Sequence, residues 1–396
     1  MSSTHKPFPA DLRLLTGLRA FAALMVVLYH FAARTAPGSG LHTTLIDRGH
    51  LGVDIFFVLS GFILAHVYLA RCQSGQFKAG QFLINRFARL YPMHLAMLLL
   101  AAALGWRAMR QGLPLAVYGP QLGLDPVTGD GFWCNLISHL TLTHAWGTTS
   151  GYAFNAVSWS ISAEAAAYLL FPVIAAASLA FGTRPLLRMA AAVALYFAAE
   201  VAAQRVLGAS LNDLTWRFGI LRILPEFALG VAAYGLGIAR PIPRHLLRWL
   251  APAALALTVT LLASGAPALL MPPLFAVLIL AIASTEREHL LPPAWLLNPL
   301  IYLGEISYST YMLHQVLGNV LFNAIARHWN YDPHALPVSL VVAVVVLILL
   351  ASAATYHLIE LPGRTLLRGM MRGSPRQTAS VASRREHAEL KPQPTR

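Results

Sequence analysis

The chain has few charged residues. Asp, Glu, Lys and Arg make up 11% of its 396 residues, whereas hydrophobic residues make up 57%. A soluble domain carries about 25% charged residues, so this composition indicates a polytopic membrane protein. The formal net charge of +13 would suit nucleic-acid binding. The basic residues lie mostly between apolar runs, however, where the positive-inside rule accounts for them, so no nucleic-acid partner is expected.

The sequence also lacks the marks of several other protein classes. No Cys/His spacing suggests zinc, so no metal is expected, and there is no glycine-rich phosphate loop. The two cysteines, Cys72 and Cys134, fall on opposite sides of the membrane in the topology below, so a disulfide is not expected. Arg19 interrupts the first apolar run and His30 closes it. No good small-residue cleavage site follows, so we do not predict a cleaved signal peptide.

About ten apolar segments are long enough to cross a bilayer. The predicted fold is therefore all-α, a polytopic transmembrane helical bundle of about ten spans. One membrane domain is predicted at 1–372, with a long outer loop at 106–157, followed by a disordered basic tail at 373–396. An amphipathic stretch of the loop, Asn135 to His144, either caps the bundle or lines an entry groove. The spans are predicted near residues 14–33, 50–70, 82–105, 159–181, 185–203, 215–238, 246–264, 268–284, 299–326 and 336–360.

The distribution of Lys and Arg orients the predicted bundle. The side that is richer in these residues is expected to face the cytoplasm, which makes both termini cytoplasmic. The richer side carries Lys6, Arg13, Arg71, Lys78, Arg184, Arg188, Arg240, Arg244, Arg248 and the tail from Arg364 onward. The opposite side carries mainly Arg34, Arg48, Arg107, Arg110, Arg205 and Arg327.

Ionisable residues inside or beside the apolar spans are the first functional candidates. Arg19 and His30 are eleven residues apart in the first span, so they share a helix face and stand about 16 Å apart. Such a pair is either a buried structural contact or part of a wet cavity. Arg86 and Arg89 share a face at the start of the third span. They either snorkel to lipid headgroups or clamp a phosphorylated cytosolic molecule.

Other polar residues occupy the second and fourth spans. Asp54 lies near the predicted outer end of the second span, where it is either solvated or paired with a cation, and Ser60 and Gly61 permit close helix packing. Trp159 fits an interfacial anchor. Ser160 and Glu164 share a helix face, and Glu164 needs a partner because it lies inside the apolar run.

Polar residues also occur in the later spans. Arg217, Arg222 and Glu226 are expected to neutralise one another in the sixth span. In the ninth span, Ser307, Tyr311 and His314 form a polar stripe that suggests a lined cavity. At the end of the tenth span, Pro362 is expected to stop the helix and Glu360 to order its cytoplasmic end.

At this point the chain resembles the integral-membrane acyltransferase type 3 family. The resemblance covers the chain up to about residue 370 and rests on seven motifs that follow one another in order. These are Arg19-x(10)-His30, Gly52-Val-Asp-Ile-Phe-Phe-Val-Leu-Ser-Gly-Phe62, Arg86-Phe-Ala-Arg89-Leu-Tyr-Pro92, Trp159-Ser-Ile-Ser-Ala-Glu164, Leu224-Pro-Glu-Phe-Ala-Leu-Gly230, Ser307-Tyr-Ser-Thr-Tyr-Met-Leu-His314 and Ile359-Glu-Leu-Pro362. Members are typically ten-span bacterial proteins that move acyl groups from coenzyme A thioesters to hydroxyls of envelope glycans or metabolites.

The resemblance implies a membrane-bound O-acyltransferase of the bacterial inner membrane. Its expected donor is acetyl-CoA or another acyl-CoA. The expected acceptor is a carbohydrate or lipid-linked glycan such as an exopolysaccharide or lipopolysaccharide, ahead of a macrolide-type metabolite. The alternative is a transporter or flippase of acylated or lipid-linked compounds, because intramembrane charge also marks transport paths. A membrane scaffold or sensor is the third hypothesis, and the sequence does not predict an oligomeric state.

The predicted roles follow from chemistry and from the resemblance together. His30 is the expected base, because imidazole titrates near neutral pH, and Glu164 is the expected orienter or second acid/base. The resemblance assigns Arg86 and Arg89 to donor binding, and Arg19 joins them through its place on the first span. Ser60, Tyr311 and His314 are candidates for acceptor binding or oxyanion stabilisation. Structural polar roles are expected for Asp54, Trp159, Ser160, Glu226 and Glu360.

Overall fold

The computed structural model describes residues 7–112 and 131–371, and every structural statement below refers to these ranges. Within them, nine helices are long and apolar enough to cross a membrane, which confirms the predicted helical bundle. The helices are α1 (Arg13–Ala32), α2 (Thr44–Asp47), α3 (Gly52–Gln73), α4 (Ala79–Arg110), α5 (Phe132–Leu140), α6 (Trp159–Ala180), α7 (Pro185–Leu207), α8 (Gly219–Ala239), α9 (Arg244–Ala263), α10 (Met271–Arg287), α11 (Ala294–Glu305), α12 (Ser307–Trp329), α13 (Val338–Thr355) and α14 (Leu361–Met371). The predicted tail at 373–396 lies outside the described residues.

The last two predicted spans differ in detail from the structure. The segment at 299–326 is divided at Ile306 into α11 and α12. Helix α12 is too polar to count among the nine apolar spans, yet its 23 residues give a length of about 35 Å, enough to cross a bilayer. The expectation that Pro362 stops the last helix is wrong. A π-helical turn at Tyr356–Glu360 leads directly into α14. Pro362 lies in the first turn of α14, where the missing backbone N–H of a proline is tolerated.

Hydrogen bonds at the ends of the helices show which helix ends lie on the same side of the bundle. The Arg13 backbone N–H donates to Glu286 Oε1 over 2.7 Å, so the start of α1 lies beside the end of α10. We call this side the N-terminal face. On the opposite face, the Leu336 N–H donates to Arg34 O over 2.9 Å. This alternation of helix ends agrees with the predicted order of spans. Both cysteines are free.

Helices α3 and α8 pack very closely on each other. Gly61 of α3 lies against the carbonyl oxygen of Phe227, and Gly230 of α8 lies against that of Val58. A Cβ atom at either glycine would overlap the opposing carbonyl, so only glycine permits this approach. The Ser60–Gly61 packing expected from the sequence is therefore present, and it aligns α3 with α8 beside the candidate site.

The return half of the long predicted loop folds onto the opposite face. Its amphipathic stretch forms α5, and the buried His94 ring of α4 bonds through Nε2 to His139 O over 2.9 Å. Burial lowers the pKa of His139 to about 4, so this ring is neutral at physiological pH. After α5, the Ala145 N–H donates to Ser162 Oγ over 2.9 Å. Of the two alternatives for this stretch, these contacts favour the one in which it caps the bundle.

Candidate active site

A cavity of about 250 Å³ opens between α1, α3, α4, α6 and α12. Three of the predicted donor-binding residues line it, namely Arg19 of α1 and Arg86 and Arg89 of α4. Glu164 of α6 and Asp11, just before α1, are its two acidic lining residues. We call this space the arginine cavity. It extends from the N-terminal face, where Asp11 and the first turns of α4 lie, to the starts of α3 and α6 on the other side of the bundle.

The three cations of the arginine cavity have no carboxylate partner within 4 Å in the described part of the chain. Arg86 lies over the rings of Tyr68 and Tyr168, with its Cζ 5.9 Å from each ring centroid. Its buried Nε has no hydrogen-bond partner within the same ranges. Arg86 and Arg89 therefore line an interior space instead of snorkelling to lipid. Unpaired guanidinium groups around a cavity are suited to an anionic ligand.

Glu164 is held by two hydroxyl donors from the cavity wall. Ser60 Oγ donates to Glu164 Oε1 over 2.8 Å, and the Tyr168 hydroxyl donates to the same oxygen. Nearby, Ser160 Oγ donates to the Tyr311 hydroxyl over 2.8 Å, which in turn donates to Val157 O over 3.0 Å. Ser60 and Ser160 thus both act as hydrogen-bond donors within a preorganised polar wall.

His30 and His314 form a hydrogen-bonded pair next to this wall. His30 Nδ1 lies 3.1 Å from His314 Nε2 and 3.0 Å from Val26 O. His314 Nδ1 lies 2.6 Å from Tyr311 O, so it must carry a proton and donate to that carbonyl. The neutral His314 then accepts at Nε2, and His30 donates from Nδ1. This arrangement leaves the lone pair on His30 Nε2 to receive a proton.

The structure brings some of the predicted site residues together and separates others. Arg19 lines the arginine cavity, but the half-buried His30 on the same helix does not. No hydrogen bond joins His30 to Glu164 within the described ranges. The link is helix α12, because Tyr311 lines the cavity and His314, three residues later, contacts His30. His314 has both ring nitrogens engaged, so the geometry fits a positioning role better than an oxyanion donor.

Other charged residues form a separate structural cluster. Arg222 donates from Nε and Nη2 to the two oxygens of Asp54, over 2.9 and 2.7 Å, and all three groups of the cluster, including Glu226, are buried. Of the two alternatives for Asp54, the structure shows ion pairing. Arg217 is not in this cluster, since its guanidinium lies over Phe218. Glu226 is 3.9 Å from Arg222.

Two further predicted structural residues are also in place. Trp159 is only 8% exposed and lies beneath Arg222, with the guanidinium carbon 5.3 Å from its ring centroid. It packs inside the bundle, so the interfacial-anchor interpretation is wrong. Glu360 is buried and accepts from Ser309 Oγ over 2.7 Å, which ties α12 to the π-helical turn.

Sequence reasoning missed Tyr168, which binds Glu164 and packs on Arg86. The signal was present, since Tyr168 follows Glu164 by four residues and so shares its helix face. It also missed Asn212, whose Nδ2 donates to Asp54 Oδ1 over 3.2 Å from a short 3-10 turn, Leu211–Asp213, between α7 and α8. No local pattern could have indicated that contact. Among the described residues, no group of three or more His, Cys, Asp or Glu side chains is arranged to hold a metal ion.

Comparisons with known proteins show which family the chain belongs to. A family model described as an acyltransferase domain matches residues 13–357, so the chain belongs to this family and is an acyltransferase. Acyltransferase MdmB of Streptomyces mycarofaciens is 28% identical to it over 392 residues, covering 89% of this chain and 92% of that protein. The putative membrane-bound transacylase BcsY of Komagataeibacter xylinus is 26% identical over 367 residues, covering 90% and 84%.

A shorter match joins the chain to a further group of relatives. Peptidoglycan O-acetyltransferase OatA of Listeria monocytogenes is 39% identical over 79 residues, which cover 20% of this chain and 11% of that protein. No solved structure matches the chain.

Proposed function

We propose that this protein transfers an acyl group, acetyl in the first instance, from acyl-CoA to a hydroxyl of a carbohydrate acceptor. The observation that carries the proposal is the arginine cavity, in which Arg19, Arg86 and Arg89 have no carboxylate partner among the described residues. It ends beside a histidine pair with one free basic nitrogen. A donor with phosphate groups at one end and a reactive thioester at the other suits both features.

The cavity volume favours a particular mode of donor binding. Its 250 Å³ is below the roughly 300–1,000 Å³ of pockets that enclose drug-sized ligands. We propose that the narrow pantetheine arm enters the cavity while the nucleotide stays at the mouth near Arg86 and Arg89. The positive-inside rule supports a cytoplasmic N-terminal face, the compartment in which acyl-CoA is found, and a location in the bacterial inner membrane.

The proposed reaction needs a base that accepts the proton of the acceptor hydroxyl and an acid that protonates the departing coenzyme A sulfur. His30 Nε2 takes the proton from the acceptor hydroxyl, and the hydroxyl oxygen attacks the thioester carbonyl carbon. The tetrahedral intermediate then collapses, the carbon–sulfur bond breaks and the protonated His30 returns its proton to the coenzyme A sulfur. His314 holds the His30 ring through the 3.1 Å contact. Glu164 maintains the cavity wall through its bonds to Ser60 and Tyr168.

The names of the relatives support a glycan acceptor. OatA is named as a peptidoglycan O-acetyltransferase, and a relative in Bacillus subtilis, YrhL, is named as a putative peptidoglycan O-acetyltransferase. Acceptor and donor would enter from opposite faces in this scheme. Cations that face the interior of the bundle also fit a transporter. The test must therefore distinguish transfer of the acyl group from movement of the intact donor across the membrane.

The experiment uses full-length protein in nanodiscs with acetyl-CoA labelled in the acetyl group and soluble peptidoglycan fragments as the acceptor. Release of the coenzyme A thiol is followed for wild type and for His30→Gln, with His245→Gln as the matched control because His245 is exposed on the N-terminal face. Loss of a general base costs about 10²–10⁴-fold in rate, so His30→Gln should lose at least 100-fold while the control keeps wild-type turnover. Undiminished turnover in His30→Gln would refute this assignment. If protein reconstituted in sealed vesicles moved intact acetyl-CoA across the vesicle membrane without thiol release, a transporter would be favoured.

A further inference from the structure

A second cavity, of about 790 Å³, lies toward the opposite face between α4, α12 and the segment before α6. It differs in character from the arginine cavity, because amide side chains follow one line along its α12 wall. These are Gln315, Asn319 and Asn323, each four residues from the next. We call this space the amide groove. A polar line on a membrane-spanning helix must face protein or water, and here it faces the groove.

Two amide oxygens in the groove have unmet hydrogen-bonding capacity. Asn155 is 2% exposed and lines the groove, and its Oδ1 has no partner in the described part of the chain. Its Nδ2 is occupied, since it donates to Met312 O over 2.8 Å. Gln315 Oε1 is likewise buried and without a partner within the described ranges. Buried polar atoms are normally satisfied, so two unsatisfied acceptors beside one cavity indicate a ligand that brings hydrogen-bond donors.

Donor groups are also available in the groove. Asn319 Oδ1 accepts from Arg34 Nη2 over 2.7 Å, and no bond from Asn319 Nδ2 is present among the described residues, so this amide nitrogen can donate to a ligand. Arg107 and Arg327 line the groove as well, and no Asp or Glu is among its described lining residues. The groove therefore offers acceptors, donors and net positive charge. Sugar hydroxyls are donors and acceptors at once, and acidic sugars add a carboxylate that guanidinium groups can bind.

The groove is close to the histidine pair along α12. His314 directly precedes Gln315, and Tyr311, which lines the arginine cavity, is four residues before Gln315, a rise of about 6 Å. The two cavities thus lie at successive levels of one helix with the His30–His314 pair between them.

We propose that the amide groove binds the acceptor, a hydroxyl-rich glycan that carries acidic groups, and presents one of its hydroxyls to His30. The proposal rests on the proposed acyl transfer for its role, but the binding site itself does not. Gln315 and Asn155 accept hydrogen bonds from the sugar, Asn319 and Asn323 hold the following residues of the glycan, and Arg107 and Arg327 bind its acid groups.

The experiment measures binding of tetragalacturonate to the full-length protein in nanodiscs, with maltotetraose as a neutral tetrasaccharide. The test variant is Asn319→Leu/Asn323→Leu. The matched control is Gln73→Leu, which removes an exposed amide at the end of α3, outside both cavities. The test variant should raise the Kd for tetragalacturonate at least 10-fold and the control should leave it unchanged. Wild type should bind tetragalacturonate more tightly than maltotetraose.

A second variant guards against loss of folding. Asn323→Cys is made with Cys72→Ser and Cys134→Ser, purified, and then labelled with a bulky maleimide. The labelled protein should lose tetragalacturonate binding that the same unlabelled preparation retains. The proposal would be overturned if the wild type did not bind tetragalacturonate at millimolar concentration. It would also be overturned if the Asn319→Leu/Asn323→Leu variant and the maleimide-labelled protein bound it as tightly as the wild type does.

Binding of coenzyme A in the absence of sugar separates the two proposals. If the Kd for coenzyme A is unchanged in Asn319→Leu/Asn323→Leu while sugar binding is lost, both stand. If the wild type binds no coenzyme A but its sugar binding depends on the amides, acyl transfer from coenzyme A fails and the groove remains a glycan site.

Discussion

Arginine occurs in two contrasting settings inside this bundle. Arg222 is 1% exposed and makes two hydrogen bonds to Asp54, with Trp159 beneath it and Glu226 nearby. The half-buried cations of the arginine cavity, Arg19, Arg86 and Arg89, have no carboxylate within 4 Å among the described residues. Arg222 is therefore fully paired without a ligand, whereas the three arginines of the cavity are not.

The difference shows how the same residue type serves structure or binding. A charge taken out of water is costly unless it is paired, and Asp54 repays that cost for Arg222. In the arginine cavity no carboxylate offsets the desolvation free energy of the three guanidinium groups. Water that enters through the opening of the cavity lowers this free energy. An anionic ligand would complete the pairing there. Cavity access and the lack of a counter-ion therefore distinguish a binding arginine from a structural one.

The largest expected effect comes from breaking the complete pair. In Arg222→Met the Asp54 carboxylate stays buried without its partner, so the free energy of unfolding should fall by about 3–5 kcal/mol. Titration with a denaturing detergent in mixed micelles measures this quantity. Asp54→Leu/Arg222→Met, which removes both charges, should recover much of the loss. A loss in Arg222→Met below about 1 kcal/mol, the size typical of an exposed pair, would contradict a structural role for the pair.

An intermediate effect is expected when arginines of the arginine cavity are substituted. The affinity for the donor should change there, and not the stability of the fold. Arg86→Gln/Arg89→Gln removes two guanidinium groups, each able to make a charge-assisted bond to phosphate worth about 1.5–3 kcal/mol. The Kd for coenzyme A should rise at least 10-fold, with little change in the free energy of unfolding. Calorimetric titration of protein in nanodiscs measures the affinity. Arg71→Gln, at an exposed arginine of the same face, serves as the control, and unchanged affinity in the double variant would argue against donor binding here.

The smallest effect is expected at Ser60, which supports the cavity wall. Ser60→Ala removes the 2.8 Å bond to Glu164, a neutral donor to a carboxylate that keeps its second bond to Tyr168. A hydrogen bond to a charged group contributes about 1.5–3 kcal/mol. Because Glu164 keeps its second bond, the free energy of unfolding should fall by about 1.5 kcal/mol, the low end of that range, and turnover should change only a few-fold. Steady-state rates of thiol release report the second quantity, with Ser264→Ala at an exposed turn as the control. A loss of more than 100-fold would show that Ser60 takes part in the chemistry.

Much of the fold could be predicted from local patterns. Apolar runs of about 20 residues identify spans because each must cover the hydrocarbon core with satisfied backbone groups. The prediction was less accurate where polarity weakens that signal. Helix α12 carries Ser307, His314 and Asn319, so its start at the Ile306 break was not recognised and its amide line was overlooked. Likewise, Pro362 was expected to end a helix that in fact continues through a π-helical turn.

The candidate site could be predicted only as a set of residues. Arg86 and Arg89 were recognised as a pair because neighbours three apart share a helix face. Whether the pair faced lipid or an interior space depended on Tyr68 and Tyr168, which lie on other helices. The acid/base role of His30 stays a prediction, and the structure adds the hydrogen bond that His30 donates to His314, which selects the His30 tautomer.

The sequence by itself determined that this chain is a helical membrane protein, where most spans lie and which ionisable residues they carry, because apolarity and helical periodicity are local properties. Only the tertiary structure decided which of those residues meet. Ser60 and Glu164 are 104 positions apart, Asp54 and Arg222 are 168 apart, and His30 and His314 are 284 apart. Such contacts depend on how distant helices pack, as α3 packs closely on α8 through Gly61 and Gly230.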